Sequence, residues 1–328
     1  MKLKISLIGV GRFGKNHLRV LKELENKGLC TLYGVVDINT NTLEKIGKEY
    51  KVRTSTSIDS FLDKVDAVII ATPSNTHFEV CLKCLDYGKH VLVEKPLTTT
   101  YATAKELVQL AEKQRKILMV GHIFRYNKAV WKIKSLIDKK ELGDIYYMFG
   151  HFMGLKDPRY DVGAVFNYAV HHIDIYNYLL DKMPEEVNCC CGYFLGRKNF
   201  EDLFILVLRY PSNIMGIIEG SWLPPGKYRN LTIVGSRKSV VSNLLEQKIE
   251  VYSSFISKCD GRLKAIFKGK VEIPVDFEEP LKLELLDFIK SIKTGKKPLA
   301  DAKSGLNAVL IAEKALESAK LKRTVRII

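Results

Sequence analysis

Residues 4–14 read KISLIGVGRFG, and this stretch decides how the first half of the chain folds. Lys4 to Ile8 is a β-branched, apolar run of strand length. It runs straight into a turn with glycines at 9, 11 and 14, after which Leu18, Leu21 and Leu24 fall at helical spacing. Strand, glycine turn and helix in that order offer a tight turn, close backbone approach and free helix amides, the three things a pyrophosphate needs. Gly9, Gly11, Arg12, Phe13 and Gly14 are therefore the candidate phosphate cradle. The second strand ends in Asp37, roughly twenty residues past the last glycine, where a carboxylate accepts both ribose hydroxyls of an adenosine and repels the extra phosphate of NADP. Ile38, Asn39 and Thr40 follow it, with no arginine, so NAD is expected in preference to NADP.

Outward from this unit the same alternation continues. Further strands are predicted at Leu32–Val36, Ala67–Ala71, His90–Val93 and Ile117–Val120, with helices after Gly14 and at Thr42–Tyr50, Thr76–Tyr87 and Ala102–Arg115. That is an α/β, doubly wound parallel sheet, placed over residues 1–121. Beyond it come longer alternating runs at 145–154, 203–210, 214–222 and 230–236 without long helices between them. They predict an α+β second domain, residues 122–328, built on a mostly antiparallel open sheet. The tail from Leu281 to Lys320 is helical, with a break at KTGKKPLAD.

The 328 residues are 46% hydrophobic and 27% charged, an ordinary globular composition, and no apolar run approaches the length of a membrane span. The N-terminal MKLKISLIGVGRFG mimics a signal peptide only faintly, because glycines interrupt a short apolar stretch; the protein is expected to be cytoplasmic. A net charge of +15 raises the question of nucleic acid. The lysine clusters at 134–140 and 293–297 have no aromatic residues interleaved for base stacking, so neither nucleic acid nor membrane is expected as a partner. An anionic small substrate accounts for the sign of the charge as well. Cys189, Cys190 and Cys191 are consecutive, and Cys81 and Cys84 form a C-x-x-C inside a helical stretch with no second pair, so reduced thiols and no metal site are expected.

Two segments carry the chemistry. In HVLVEKPLTTT, residues 90–100, Lys95 falls at the carboxyl end of a parallel strand, where ligands of open sheets collect. Its ammonium can donate to a hydroxyl being oxidised and stabilise the forming carbonyl oxygen, with Glu94 and Pro96 restraining it. In DVGAVFNYAVHHIDIYNYLL, residues 161–180, Asn167, His171 and Asp174 share one helical face while His172 lies about 100° round.

With ATPSNTH at 71–77, VEKPL at 93–97 and the H-x-x-D helix in this order, the chain resembles the Gfo/Idh/MocA (glucose-fructose oxidoreductase and inositol dehydrogenase) superfamily over its whole length. The resemblance implies an N-terminal Rossmann domain and a sugar dehydrogenase. It implies that Thr72, Pro73, Asn75, His77, Glu94 and Lys95 join the cofactor site, with a cis bond before Pro96. His171 would be the general acid/base beside Lys95. Asn167 stands where many relatives carry Asp; an amide takes no proton, so His171 is expected to act as base alone, assisted by Lys95.

VGHIFRYN, PRYDVGAV and EGSWLPPGKYRNLTIVGS are most similar to enzymes that oxidise the 3-hydroxyl of UDP-N-acetylglucosamine, with Phe124 in place of Glu and an extra Pro225. A UDP-sugar would use Arg125, Arg159, Lys227 and Arg229 at its diphosphate and Trp222 as a stacking face, with Tyr126 and Asn167 alongside. An unactivated sugar, inositol or sugar phosphate is the alternative substrate, and a non-catalytic NAD(H) sensor the alternative function. A homodimer or homotetramer through the open sheet is expected.

Overall fold

A computed structural model describes residues 2–197 and 199–327. The chain divides into two compact units. The first begins with β1 (Lys4–Ile8), α1 (Gly14–Asn26), β2 (Thr31–Val36), α2 (Thr40–Tyr50), β3 (Arg53–Ser55) and α3 (Asp59–Leu62). It continues with β4 (Ala67–Ile70), α4 (His77–Asp86), β5 (His90–Glu94), α5 (Tyr101–Lys113) and β6 (Leu118–Gly121). All six strands are parallel in the order β3-β2-β1-β4-β5-β6, the doubly wound arrangement expected. Every residue of β4 is buried because helices cover both sheet faces, which is why its sequence is a continuous apolar run. Asn39 caps α2 by accepting from the Thr42 amide at 2.9 Å, whereas α1 has no side-chain cap and no acid in its first turn.

The second unit contains α6 (Lys128–Asp138), β7 (Ile145–Gly154), α7 (Val170–Leu180), β8 (Glu186–Gly192), β9 (Leu203–Tyr210) and β10 (Ile214–Ser221). After these come β11 (Lys227–Gly235), β12 (Ser239–Asn243), β13 (Lys248–Cys259) and β14 (Arg262–Ile273). The chain ends with α8 (Pro280–Thr294), α9 (Ala302–Leu321) and β15 (Val325–Arg326). The sheet order is β14-β13-β12-β11-β7-β10-β9-β8-β15, antiparallel except where β10 runs parallel to β7. Burial alternates along β9, β10 and β11, so one face is core and the other is open.

The first unit takes the chain up to Ile123 and also Leu281–Val309, which returns to it. The reason is the free edge of β6. The Val120 amide donates to the Ala300 carbonyl at 3.0 Å and Met119 pairs with Asp301, so the returning segment covers an edge that would otherwise expose its backbone. Gly305 permits the approach, since a Cβ there would lie 2.4 Å from Val120 Cγ2.

Candidate functional site

In the first unit the glycine turn is built by contact. Gly9 has φ of +89°, and a Cβ there would meet the Ala71 carbonyl oxygen at 2.7 Å; one on Gly14 would lie 2.1 Å from Gly9 O. These two glycines serve the fold. A Cβ on Gly11 would meet nothing within 4 Å: the space above this residue is open. Arg12 and Phe13 are exposed beside it. Asp37 is fixed from both sides, with Oδ2 accepting from the Val10 amide at 2.8 Å and Oδ1 from the Asn39 amide at 2.9 Å. Each oxygen keeps a further lone pair for a ribose hydroxyl.

The turns after β4 and β5 are tied together by His77, which is buried, with Nδ1 2.7 Å from Pro96 O and Nε2 3.1 Å from Thr72 O. His77 therefore positions the two turns; its ring is not free to meet a cofactor, contrary to the expectation for it. Thr76 Oγ1 donates to Thr72 Oγ1 at 2.8 Å, and Pro73 and Asn75 are exposed at this turn. At the end of β5, Glu94 Oε1 lies 2.7 Å from His17 Nε2 and Oε2 accepts from the Lys95 amide at 3.3 Å. Lys95 is half-buried and its bond to Pro96 is cis.

In the second unit a π-helical turn, Val165–Ala169, precedes α7 and carries Asn167, which is buried. His171 stacks on Phe152 with centroids 4.5 Å apart and planes at 13°, and meets Phe124 edge-on at 5.2 Å. Phe124 thus helps to fix the imidazole plane. His172 is core: it packs over Gly150, holds Asn230 O at 3.0 Å from Nε2, and burial lowers its pKa to about 4.

Of the residues expected to contact a UDP-sugar, the three arginines are each engaged within the protein. Arg125 grips Asp174 through Nε at 3.0 and 2.8 Å and through a terminal nitrogen at 2.8 Å. Arg159 holds Asp161 at 2.7 Å. Arg229 lies 3.5 Å above the Phe152 ring and donates to Met153 O and Tyr228 O at 2.7 and 2.6 Å, and burial lowers its pKa to about 10. Lys227 is exposed, and Tyr126 is in the core. Trp222 offers no stacking face: it is fully buried, donates to Asp202 Oδ1 at 3.1 Å and lies under Arg197 at 4.5 Å. Its part is structural, because the indole N–H and ring are both occupied inside the protein.

Sequence reasoning passed over Asp161, Arg197, Glu201 and Asp202. Glu201 is buried, accepts from the Val165 amide at 2.7 Å and has its pKa raised by burial. The D in PRYDVGAV and the ED pair before β9 were the available signals. Cys81 and Cys84 are buried in α4, and burial pushes the Cys84 thiol up to about 12. Among the described residues no group of three or more His, Cys, Asp or Glu could hold a metal ion.

Residues 3–122 match the family description "Oxidoreductase family, NAD-binding Rossmann fold", and residues 134–327 match "Oxidoreductase family, C-terminal alpha/beta domain", both of Gfo/Idh/MocA. The chain belongs to the Gfo/Idh/MocA oxidoreductase family. Within it, the myo-inositol 2-dehydrogenase of Thermotoga maritima is 25% identical over 99% of this chain and 98% of its own length. The UDP-N-acetylglucosamine 3-dehydrogenase of Acidithiobacillus ferrooxidans is 28% identical over 56% of each chain. A levoglucosan dehydrogenase solved with NADH superposes with a TM-score of 0.87 over 100% of both chains at 22% identity, a likeness that shows the fold.

As a member of this family the protein is an oxidoreductase with an NAD-binding Rossmann domain. Its own residues fit that cofactor: the open space over Gly11, the uncapped amides of α1 and the fixed carboxylate of Asp37 are the three features a dinucleotide requires. No helix among the described residues is long and apolar enough to cross a membrane.

Proposed function

We propose that this Gfo/Idh/MocA protein oxidises a secondary hydroxyl of a polyhydroxylated ring, a sugar or cyclitol, to a ketone. NAD, which the turn at Gly11 and the carboxylate of Asp37 would hold, would supply the hydride acceptor for the carbinol carbon. Lys95 supplies a fixed positive charge to the oxygen on which negative charge develops. His171, its plane set by Phe124 and Phe152, takes the hydroxyl proton, and Asn167 donates or accepts a hydrogen bond without exchanging a proton.

The observation that carries the choice of substrate class is that Arg125, Arg159 and Arg229 are already engaged by Asp174, Asp161 and two backbone carbonyls. An arginine already paired within the protein has fewer donors left for a diphosphate. An unactivated sugar or cyclitol therefore fits better than a nucleotide sugar. The second reading, oxidation of C3 of a UDP-N-acetylhexosamine, is supported by the exposed Lys227 and by the likeness to the Acidithiobacillus ferrooxidans enzyme.

Absorbance of NADH, followed with NAD and a panel of myo-inositol, free hexoses, hexose phosphates and UDP-N-acetylglucosamine, separates the two. Turnover with UDP-N-acetylglucosamine alone would overturn the preference. With the active substrate, Lys95→Met and His171→Ala should each lower kcat by about 100-fold or more. Near-native turnover in either variant would refute its role. We also infer a homo-oligomer through the open sheet face, where Tyr147, Ile205 and Val241 are exposed; light scattering showing a monomer would refute it.

A further inference from the structure

Glu284, on α8 within the first unit, is fully buried, and neither of its carboxyl oxygens has a hydrogen-bond partner among the described residues. A buried carboxylate without donors or a cation is strongly disfavoured; a buried carboxylic acid is far less so. The charged groups that act on Glu284 are Glu94, at the end of β5, and Asp287, one turn along α8. Burial pushes the Glu284 pKa well above the usual carboxylate range, and the two acids add to it.

Glu94 is differently placed. Its carboxylate accepts from the Lys95 amide and lies 2.7 Å from Nε2 of His17, which is itself buried. It rests against Gly121, where a Cβ would come within 3.0 Å of Oε1. Between the two acids, the one with donors holds the charge and the one without them holds the proton.

We propose that Glu284 is a positioning residue that stays protonated, and that its neutrality leaves Glu94 as the single anion anchoring the turn that presents Lys95. The inference rests on the role given to Lys95 above. Once Glu284 loses its proton it repels the Glu94 carboxylate, and the bonds that Glu94 makes to His17 and to the Lys95 amide are what can rearrange. A leucine or methionine would fill the position without a polar group to satisfy; an acid there responds to pH.

The test compares the wild type with Glu284→Gln, which keeps shape and removes the proton. Infrared spectra at neutral pH should show the carbonyl band of a protonated buried carboxyl in the wild type and its loss in the variant; no such difference would mean that Glu284 is ionised and would overturn the proposal. Stability gives a second measure. The folded pKa lies above the unfolded one, so the unfolded chain releases its proton first, and wild-type stability falls as pH rises from about 4.3 toward the folded value. The Tm advantage of Glu284→Gln should therefore widen steadily with pH, and a constant difference would count against protonation.

For positioning, the readout is NADH affinity by fluorescence across neutral to alkaline pH. The wild type should weaken by about tenfold or more while Glu284→Gln stays flat. In a Lys95→Met background the two profiles should coincide. Equal profiles with Lys95 present would overturn the positioning role. Because NADH binding needs no turnover, a chain that shows this behaviour yet oxidises no sugar would refute the proposed function and leave this inference standing.

Discussion

Gly11→Ala and Gly14→Ala separate the space that belongs to the cofactor from the space that belongs to the fold. A Cβ on Gly14 would sit 2.1 Å from Gly9 O, a backbone atom that moves only if the turn moves. Overpacking of this kind costs about 1–3 kcal/mol or more, and at roughly 2–4 °C per kcal/mol for a large domain the variant should melt several degrees early. Gly11 is not in the left-handed region and its Cβ meets nothing, so alanine should change apo stability by no more than about 0.5 kcal/mol. The added methyl enters the open space where a pyrophosphate approaches the backbone. Losing even one such contact at about 1.4 kcal/mol weakens NADH tenfold. Thermal melts of the apo proteins and NADH titrations followed by fluorescence give both numbers. A Gly11→Ala protein that binds NADH as the wild type does would refute the assignment of that space.

Other variants test neighbouring claims. Arg125→Met removes the charged partner of Asp174, which is only 2% exposed, and should destabilise the fold by about 3–5 kcal/mol in urea unfolding; a loss under about 1 kcal/mol would mean the pair is not what holds α7. Asp37→Ser should lower the preference for NADH over NADPH by about tenfold in paired titrations, and an unchanged ratio would remove Asp37 from ribose recognition. His172 has a folded pKa lowered to about 4, so it stays neutral while the unfolded chain protonates near pH 6.5. Its contribution is present above that value and is lost as pH falls toward 4, up to about 3 kcal/mol. His172→Gln should flatten this part of the stability profile, and an identical acid limb would show that the loss arises elsewhere.

The first unit was legible because its rules are local. A parallel strand buried on both faces is a short apolar run, and β1, β4 and β5 read that way directly. The glycine turn and Asp37 follow from what a dinucleotide demands of adjacent residues. β3 and α3 escaped notice because RTS and DSFL are too short to show a period. The return of Leu281–Val309 to the first unit was invisible for a different cause: a helix pattern reports which face is apolar, not which sheet edge lacks a neighbour.

The second unit shows where sequence reading stops. Four cations in the right segments suggested a cradle for phosphate, yet a cation count carries the sign of the charge and not its availability. Availability depends on which acid folds beside each one. Asp174 is 49 residues from Arg125, and no local pattern marks it as that arginine's partner. Arg229 needs no acid at all, since two carbonyls and the face of Phe152 occupy it. Trp222 was misread for a similar reason: an aromatic at the end of a strand is equally suited to a ligand face or to a buried N–H bond, and Asp202 on the neighbouring turn decides for the second. Three of the four cations that suggested the cradle are therefore occupied within the protein, and only Lys227 stays exposed, a distinction that no count of charges along the sequence carries.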